Sequence, residues 1–129
     1  MDKSSALDTI ENIKWDKYAT PEYYSSYLAK ACLLKLVSIE SINDHPEICH
    51  EVLSGIGNDH AGTYYPIIFE VIDFLIDLES SYENEFVRKA TNAILSDFSY
   101  FEIDYGNLKP DDLEALIMNT KSKLNKYKD

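Results

Sequence analysis

The chain has 129 residues, a formal net charge of −11 and 45% apolar residues, the size and composition of one folded domain rather than a disordered tail. That charge argues against nucleic acid and against an anionic membrane surface as partners, because both would repel it. The sequence opens without a basic-then-apolar leader, and acids interrupt its longest apolar run, so neither a signal peptide nor a membrane span is expected; Cys32 and Cys49 read as the reduced, buried thiols of a cytoplasmic protein.

Helices are expected throughout. The first covers residues 4–14, capped by Ser4 or Ser5, with Leu7, Ile10 and Ile13 on one apolar edge and Trp15 beyond it as a lid on the core. Thr20-Pro21-Glu22 has the form of a cap, a first-position proline and a first-turn acid, which predicts a helix from there to about Ser38. Its apolar face comprises Tyr24, Leu28, Ala31, Cys32, Leu33, Leu36 and Val37. Tyr23, Tyr24 and Tyr27 crowd its start, either as half-buried core or as interface anchors. Pro46 opens a shorter helix, capped by Asp44 or His45, that turns Ile48, Cys49, Val52 and Leu53 inward and stops at Gly55-Ile56-Gly57.

A loop of turn-formers over residues 58–63 leads into the most apolar stretch, 63–79. Pro66 stands where a first helical turn accepts proline. Only Glu70, Asp73 and Asp77 interrupt the apolar residues that follow, and their spacing of three and four puts them on one helical stripe. A buried strand is the rival reading, but the run is long for one; a central helix covered on at least two flanks is expected. Residues 83–101 form the next helix, and Pro110 opens the last, with Asp111, Asp112 and Glu114 early and Lys121, Lys123, Lys126 and Lys128 late, a polarity that suits the helix dipole.

A shift of 42 residues superposes Ala29, Cys32, Leu33 and Leu36 on Val71, Phe74, Leu75 and Leu78, and Val52 and Leu53 on Ile94 and Leu95. Helix pairs repeating near this period characterise HEAT and armadillo stacks. The expected architecture is therefore all-α: about five to six helices in one domain over residues 1–129, as stacked HEAT-like hairpins, with an irregular bundle as the alternative.

Catalytic and cofactor signatures are missing from the sequence: no glycine-rich phosphate loop, CxxC, HExxH or GxSxG occurs. His45 and Cys49 share a helical face but lack a full ligand set, so no metal and no cofactor is expected. His60 with Glu70 is the one conceivable acid–base pair, and the chain is read as a non-enzyme.

From Lys35 to Arg88 there is no intervening Lys or Arg, while Glu40, Asp44, Glu47, Glu51, Asp59, Glu70, Asp73, Asp77, Glu79, Glu83 and Glu85 fall in that interval. Such a run either solubilises the protein or presents a negative field to a positive partner.

The segment Asp59-His60-Ala61-Gly62-Thr63-Tyr64-Tyr65-Pro66, followed by Ile72 to Leu78, resembles HEAT-like bacterial proteins in which His-Gln-Gly-Thr-Xaa-Tyr precedes an apolar helix ending in Phe-Leu-Leu-Xaa-Leu; Ala61 stands where those proteins tend to have Gln. Small proteins of that type are often immunity proteins, antitoxins of contact-dependent growth inhibition and polymorphic toxin systems. The resemblance implies a cytoplasmic, monomeric inhibitor of a cognate toxin, a basic nuclease being the partner that suits the charge. Contact residues expected on this reading are Asp59, His60, Tyr64, Tyr65, Glu70, Asp73, Asp77, Tyr82 and Glu83. An acidic HEAT-like adaptor that docks a basic protein without inhibiting it is the alternative.

Overall fold

The computed structural model describes residues 1–58 and 61–128. In chain order these form α1 (Lys3–Asn12), α2 (Ser26–Leu36), α3 (His45–Ile56), β1 (Gly57–Asn58), β2 (Thr63–Tyr64), α4 (Ile68–Ser81), α5 (Glu85–Phe98), β3 (Glu102–Ile103) and α6 (Pro110–Leu124). The protein is mostly helical, in keeping with the all-α expectation, and adds a small sheet of three two-residue strands that the expectation did not include. β2 is central, antiparallel to β1 with Gly57 opposite Tyr64, and parallel to β3 with Thr63 opposite Glu102. The sheet thus joins the α3–α4 connection to the α5–α6 connection.

The α4 apolar run does what its composition dictates. Ile68, Val71, Ile72, Phe74, Leu75 and Leu78 are buried, and the helix packs on α5 and α6. Pro66 precedes the helix by two residues. It lies in a turn closed by Ile68 N–H to the Tyr65 carbonyl and Phe69 N–H to the Pro66 carbonyl, at 2.9 and 3.1 Å. α2 packs on α3, and α3 packs on α5. Every residue matched by the 42-residue shift is buried.

Two further helix starts differ from expectation. The cap of α1 is Asp2, whose carboxylate accepts from Ser5 N–H at 2.8 Å; that bond holds its pKa below the ordinary value. α2 begins at Ser26 behind a Ser25 cap. The Thr20 hydroxyl, expected to cap a helix there, instead accepts from Asn107 N–H at 3.1 Å, and residues 21–24 form a turn. The buried face of α2 comprises Ala29, Cys32, Leu33 and Leu36, while Leu28, expected on the apolar face, is 60% exposed. Trp15 is buried as expected, and its indole N–H donates to the Ile10 carbonyl at 2.9 Å.

α3 continues through Gly55 before ending at Ile56. A methyl group at Gly55 would sit 2.9 Å from Cys32 Sγ, so the missing side chain lets α2 and α3 approach closely. α5 is capped by Asn84, whose Oδ1 accepts from Phe86 N–H and Val87 N–H at 2.8 and 3.3 Å.

Candidate functional surface

The two helical hairpins, α2–α3 and α4–α5, present their turns side by side. The Tyr82 hydroxyl reaches across to the Val37 carbonyl at 2.9 Å, and Asn84 Nδ2 donates to the Ile39 carbonyl at 3.3 Å. These bonds set Glu83 beside the segment that carries Glu40. The chain then runs through an exposed Ile42 to Asp44 and Glu47 at the start of α3. Glu40, Asp44, Glu47 and Glu83 are all exposed, and among the described residues none of them has a lysine or arginine at ion-pair distance. At the margin, the Met1 amino group bonds the Ser81 carbonyl at 2.5 Å, Glu83 N–H donates to the Met1 carbonyl at 2.9 Å, and Arg88 donates to the Tyr82 carbonyl.

The stripe on α4 is less bare than the sequence suggests. Glu70 pairs with Lys17 at 3.4 Å, and Asp73 pairs with Lys123 at 2.8 Å. Earlier in the chain Lys35 pairs with Glu51 at 3.1 Å. Cations missing from the middle of the sequence are returned to it by the fold, which corrects the expectation of an unrelieved negative field there. Of the stripe, Asp77 remains exposed with no ion-pair partner among the described residues, one turn from the end of the helix that leads to Glu83.

The aromatic anchors expected beside these acids are in the core instead. Tyr64, Tyr65 and Tyr82 are 3%, 8% and 3% exposed. The Tyr64 ring meets Phe98 edge-on at 4.8 Å, Tyr65 meets both Tyr23 and Tyr24 at 5.7 Å, and burial raises the pKa of the Tyr65 and Tyr82 phenols. The period of the sequence could not separate these from surface tyrosines, because two of them precede α4 in a strand and a turn. Asp59 and His60, also expected at the surface, lie outside the described residues, as does any pairing of His60 with Glu70. Exposed aromatic area comes from two tyrosines of the cluster near α2: Tyr23, in the turn before the helix, and Tyr27, in its first turn, are 65% and 79% exposed. Tyr23 donates to Asp104, while the half-buried Tyr24 donates to the Trp15 carbonyl at 2.7 Å.

A groove of about 340 Å³ runs between α2 and α3, its apolar lining made by Leu28, Ala31, Cys32 and Gly55. Glu51 forms part of its wall: one carboxylate oxygen, Oε1, is held by Lys35, while the other, Oε2, is buried without a hydrogen-bond partner. Burial, with Glu51 nearby, pushes the Cys32 thiol up to about 12, so it is no nucleophile at neutral pH. His45 and Cys49 do lie together, Sγ being 4.0 Å from both ring nitrogens, yet among the described residues no group of three or more His, Cys, Asp or Glu side chains is placed to hold a metal ion. None of the described helices is long and apolar enough to cross a membrane.

No protein-family model matches the chain, and no similar curated protein or solved structure was found.

Proposed function

We propose that this chain is a cytoplasmic binding protein of the immunity type, which captures and neutralises a positively charged toxin domain, a nuclease being the partner class that fits its charge. The observation that carries the reading is the joined pair of hairpin turns, which sets exposed Glu83 beside the segment of exposed Glu40, with exposed Ile42, Asp44 and Glu47 following Glu40 along the chain. Carboxylates in such a place steer a basic protein inward and can occupy positions that phosphates would take on a nuclease. The HEAT-like reading belongs to the same proposal. The adjacent turns, the α3–α5 contact and the burial of every residue matched by the 42-residue shift support two stacked helix pairs, with α1 and α6 at the flanks. The Gly62-Thr63-Xaa-Tyr65 segment ahead of α4 supports it further.

Pairing of Glu70 and Asp73 with lysines favours a second reading, an acidic adaptor that docks a basic protein without blocking it. One experiment separates the two. Cells expressing the product of the neighbouring gene are grown with and without this chain, and binding of the two products is measured in parallel. Rescue of growth with binding supports immunity; binding without rescue supports the adaptor. Absence of binding overturns both. Glu40→Lys with Glu83→Lys is expected to weaken that binding and flatten its salt dependence. Asp73→Lys with Asp77→Lys is expected to do so less, because Asp73 is already paired.

A further inference from the structure

From the α2–α3 groove we infer an anchor site for one aromatic side chain of a partner protein, a tyrosine or tryptophan whose single polar hydrogen is received by Glu51. This rests on the reading of the chain as a partner-binding protein and names what the partner inserts.

Three features of the groove select that occupant. Much of its lining is apolar, with Leu28 60% exposed, so it favours a flat hydrophobic body. At about 340 Å³ it lies at the bottom of the range for ligand pockets, roughly 300–1,000 Å³, which suits one side chain better than a cofactor. Finally, Glu51 Oε2 is buried and lacks a donor, and a buried acceptor is stabilised when a donor reaches it. Tyrosine and tryptophan join an apolar body to one donor at the tip, and both are enriched among residues that dominate interface energetics.

An ionic occupant fits less well. Lys35 already pairs with the Glu51 carboxylate at 3.1 Å, so an arriving arginine or lysine would have to compete with it for that charge. The donor that Glu51 lacks is therefore a neutral one. Oε2 is turned inward; the terminal torsion of a glutamate is broad, and the inference requires the carboxylate to turn about it so that an oxygen meets the occupant's donor.

The site also connects with the acidic turns. Glu47, Glu51 and Ser54 follow one another at four and three residues along α3, so they share a helical face. Charge at the turn end would guide the partner, and the groove farther along the same face would hold it.

The test uses the intact chain and three small probes, followed by amide and methyl NMR shifts. p-Cresol stands for the tyrosine side chain, toluene for the same body without its donor, and n-butylguanidinium for the rival cation. Saturable p-cresol shifts at Leu28, Ala31 and Gly55 are expected, in the millimolar range appropriate to so small a ligand. Binding should be roughly tenfold tighter than that of toluene, and Glu51→Met should abolish that preference. Equal binding of toluene and p-cresol removes Glu51 from the site, and preference for the guanidinium overturns the aromatic assignment. Absence of saturable shifts in this groove overturns the site altogether, and the comparison between probes on the unaltered chain stands even if the Glu51 variant fails to fold. Glu40→Lys with Glu83→Lys is expected to leave p-cresol binding unchanged. Loss of toxin binding in that variant therefore reports on the acidic turns, and loss of probe binding in Glu51→Met reports on the groove.

Discussion

The hydroxyl of Tyr82 donates to the carbonyl of Val37 at 2.9 Å, linking the α4–α5 turn to the end of α2 across 45 residues of sequence. Both partners are buried, so neither can exchange this bond for one to water. Tyr82→Phe keeps the ring and orphans the carbonyl. It is expected to lower stability by about 1–2 kcal/mol in urea unfolding, with little change in the slope of the transition.

Asn84 does two tasks within two residues of that tyrosine: it caps α5 and it bonds the Ile39 carbonyl. Asn84→Ala is expected to cost about 1–2 kcal/mol. Because both side chains tie the same two turns, the double variant with Tyr82→Phe should depart from additivity. A strictly additive cycle would mean that the turns are held independently.

Glycines near the small sheet differ in kind. A methyl group at Gly57 would lie 2.4 Å from the Tyr64 ring and 2.5 Å from the Thr63 carbonyl oxygen, whereas at Gly62, with φ +69°, it would meet open space. Gly57→Ala is expected to destabilise by about 3 kcal/mol through overpacking, and Gly62→Ala by about 1 kcal/mol through backbone strain alone. Thermal unfolding of the two variants should rank them in that order.

Alkali should weaken the fold in a definite window. Burial, aided by Glu51, holds Cys32 at about 12; burial, aided by Asp97, holds Cys49 at about 11; burial, aided by Glu79, holds Tyr127 at about 12. Their ordinary values are 9.0 for the thiols and 10.0 for the phenol. Above pH 9 the unfolded chain has begun to release protons that the folded chain keeps, so each further rise favours unfolding. The stabilisation from these groups is complete below that pH and disappears as pH climbs towards 12. Replacing both cysteines by alanine should make the decline shallower in denaturant titrations taken at successive pH values.

Lys123 and Asp73 meet at 2.8 Å with both side chains partly in water. A double-mutant cycle on this pair should give a coupling below about 1 kcal/mol, shrinking further in salt. Its larger effect is on the surface potential: Lys123→Met should steepen the salt dependence of binding to any basic partner that approaches α4.

Long periodic segments were legible. α4, α5 and α6 stand close to where their apolar spacing and prolines put them, and Asp111 and Asp112 open α6 as its dipole requires. What escaped was governed by distant partners. Thr20 looks like a helix cap until Asn107, far along the chain, is seen to use its oxygen. Strands of two residues are too short to show alternation, and their pairing supplies the order that no local pattern displays. The candidate surface was half visible: Glu83 and Asp77 are exposed as read, but the lysines that quiet Glu70 and Asp73 lie 53 and 50 residues away. No sequence window contains both members of such a pair.

The bond from Asn107 to Thr20 spans 87 residues, and the first stretch of the chain is also fastened by Glu83 N–H and by Glu70. Synthesis is vectorial, so that stretch leaves the ribosome before Glu70, Glu83 and Asn107 and must wait for them. Before then its Ala6, Ile10 and Trp15 have only part of their final shelter. Nascent chains halted short of residue 107 should therefore be digested readily by protease over residues 1–20, and chains extended past Asn107 should resist there.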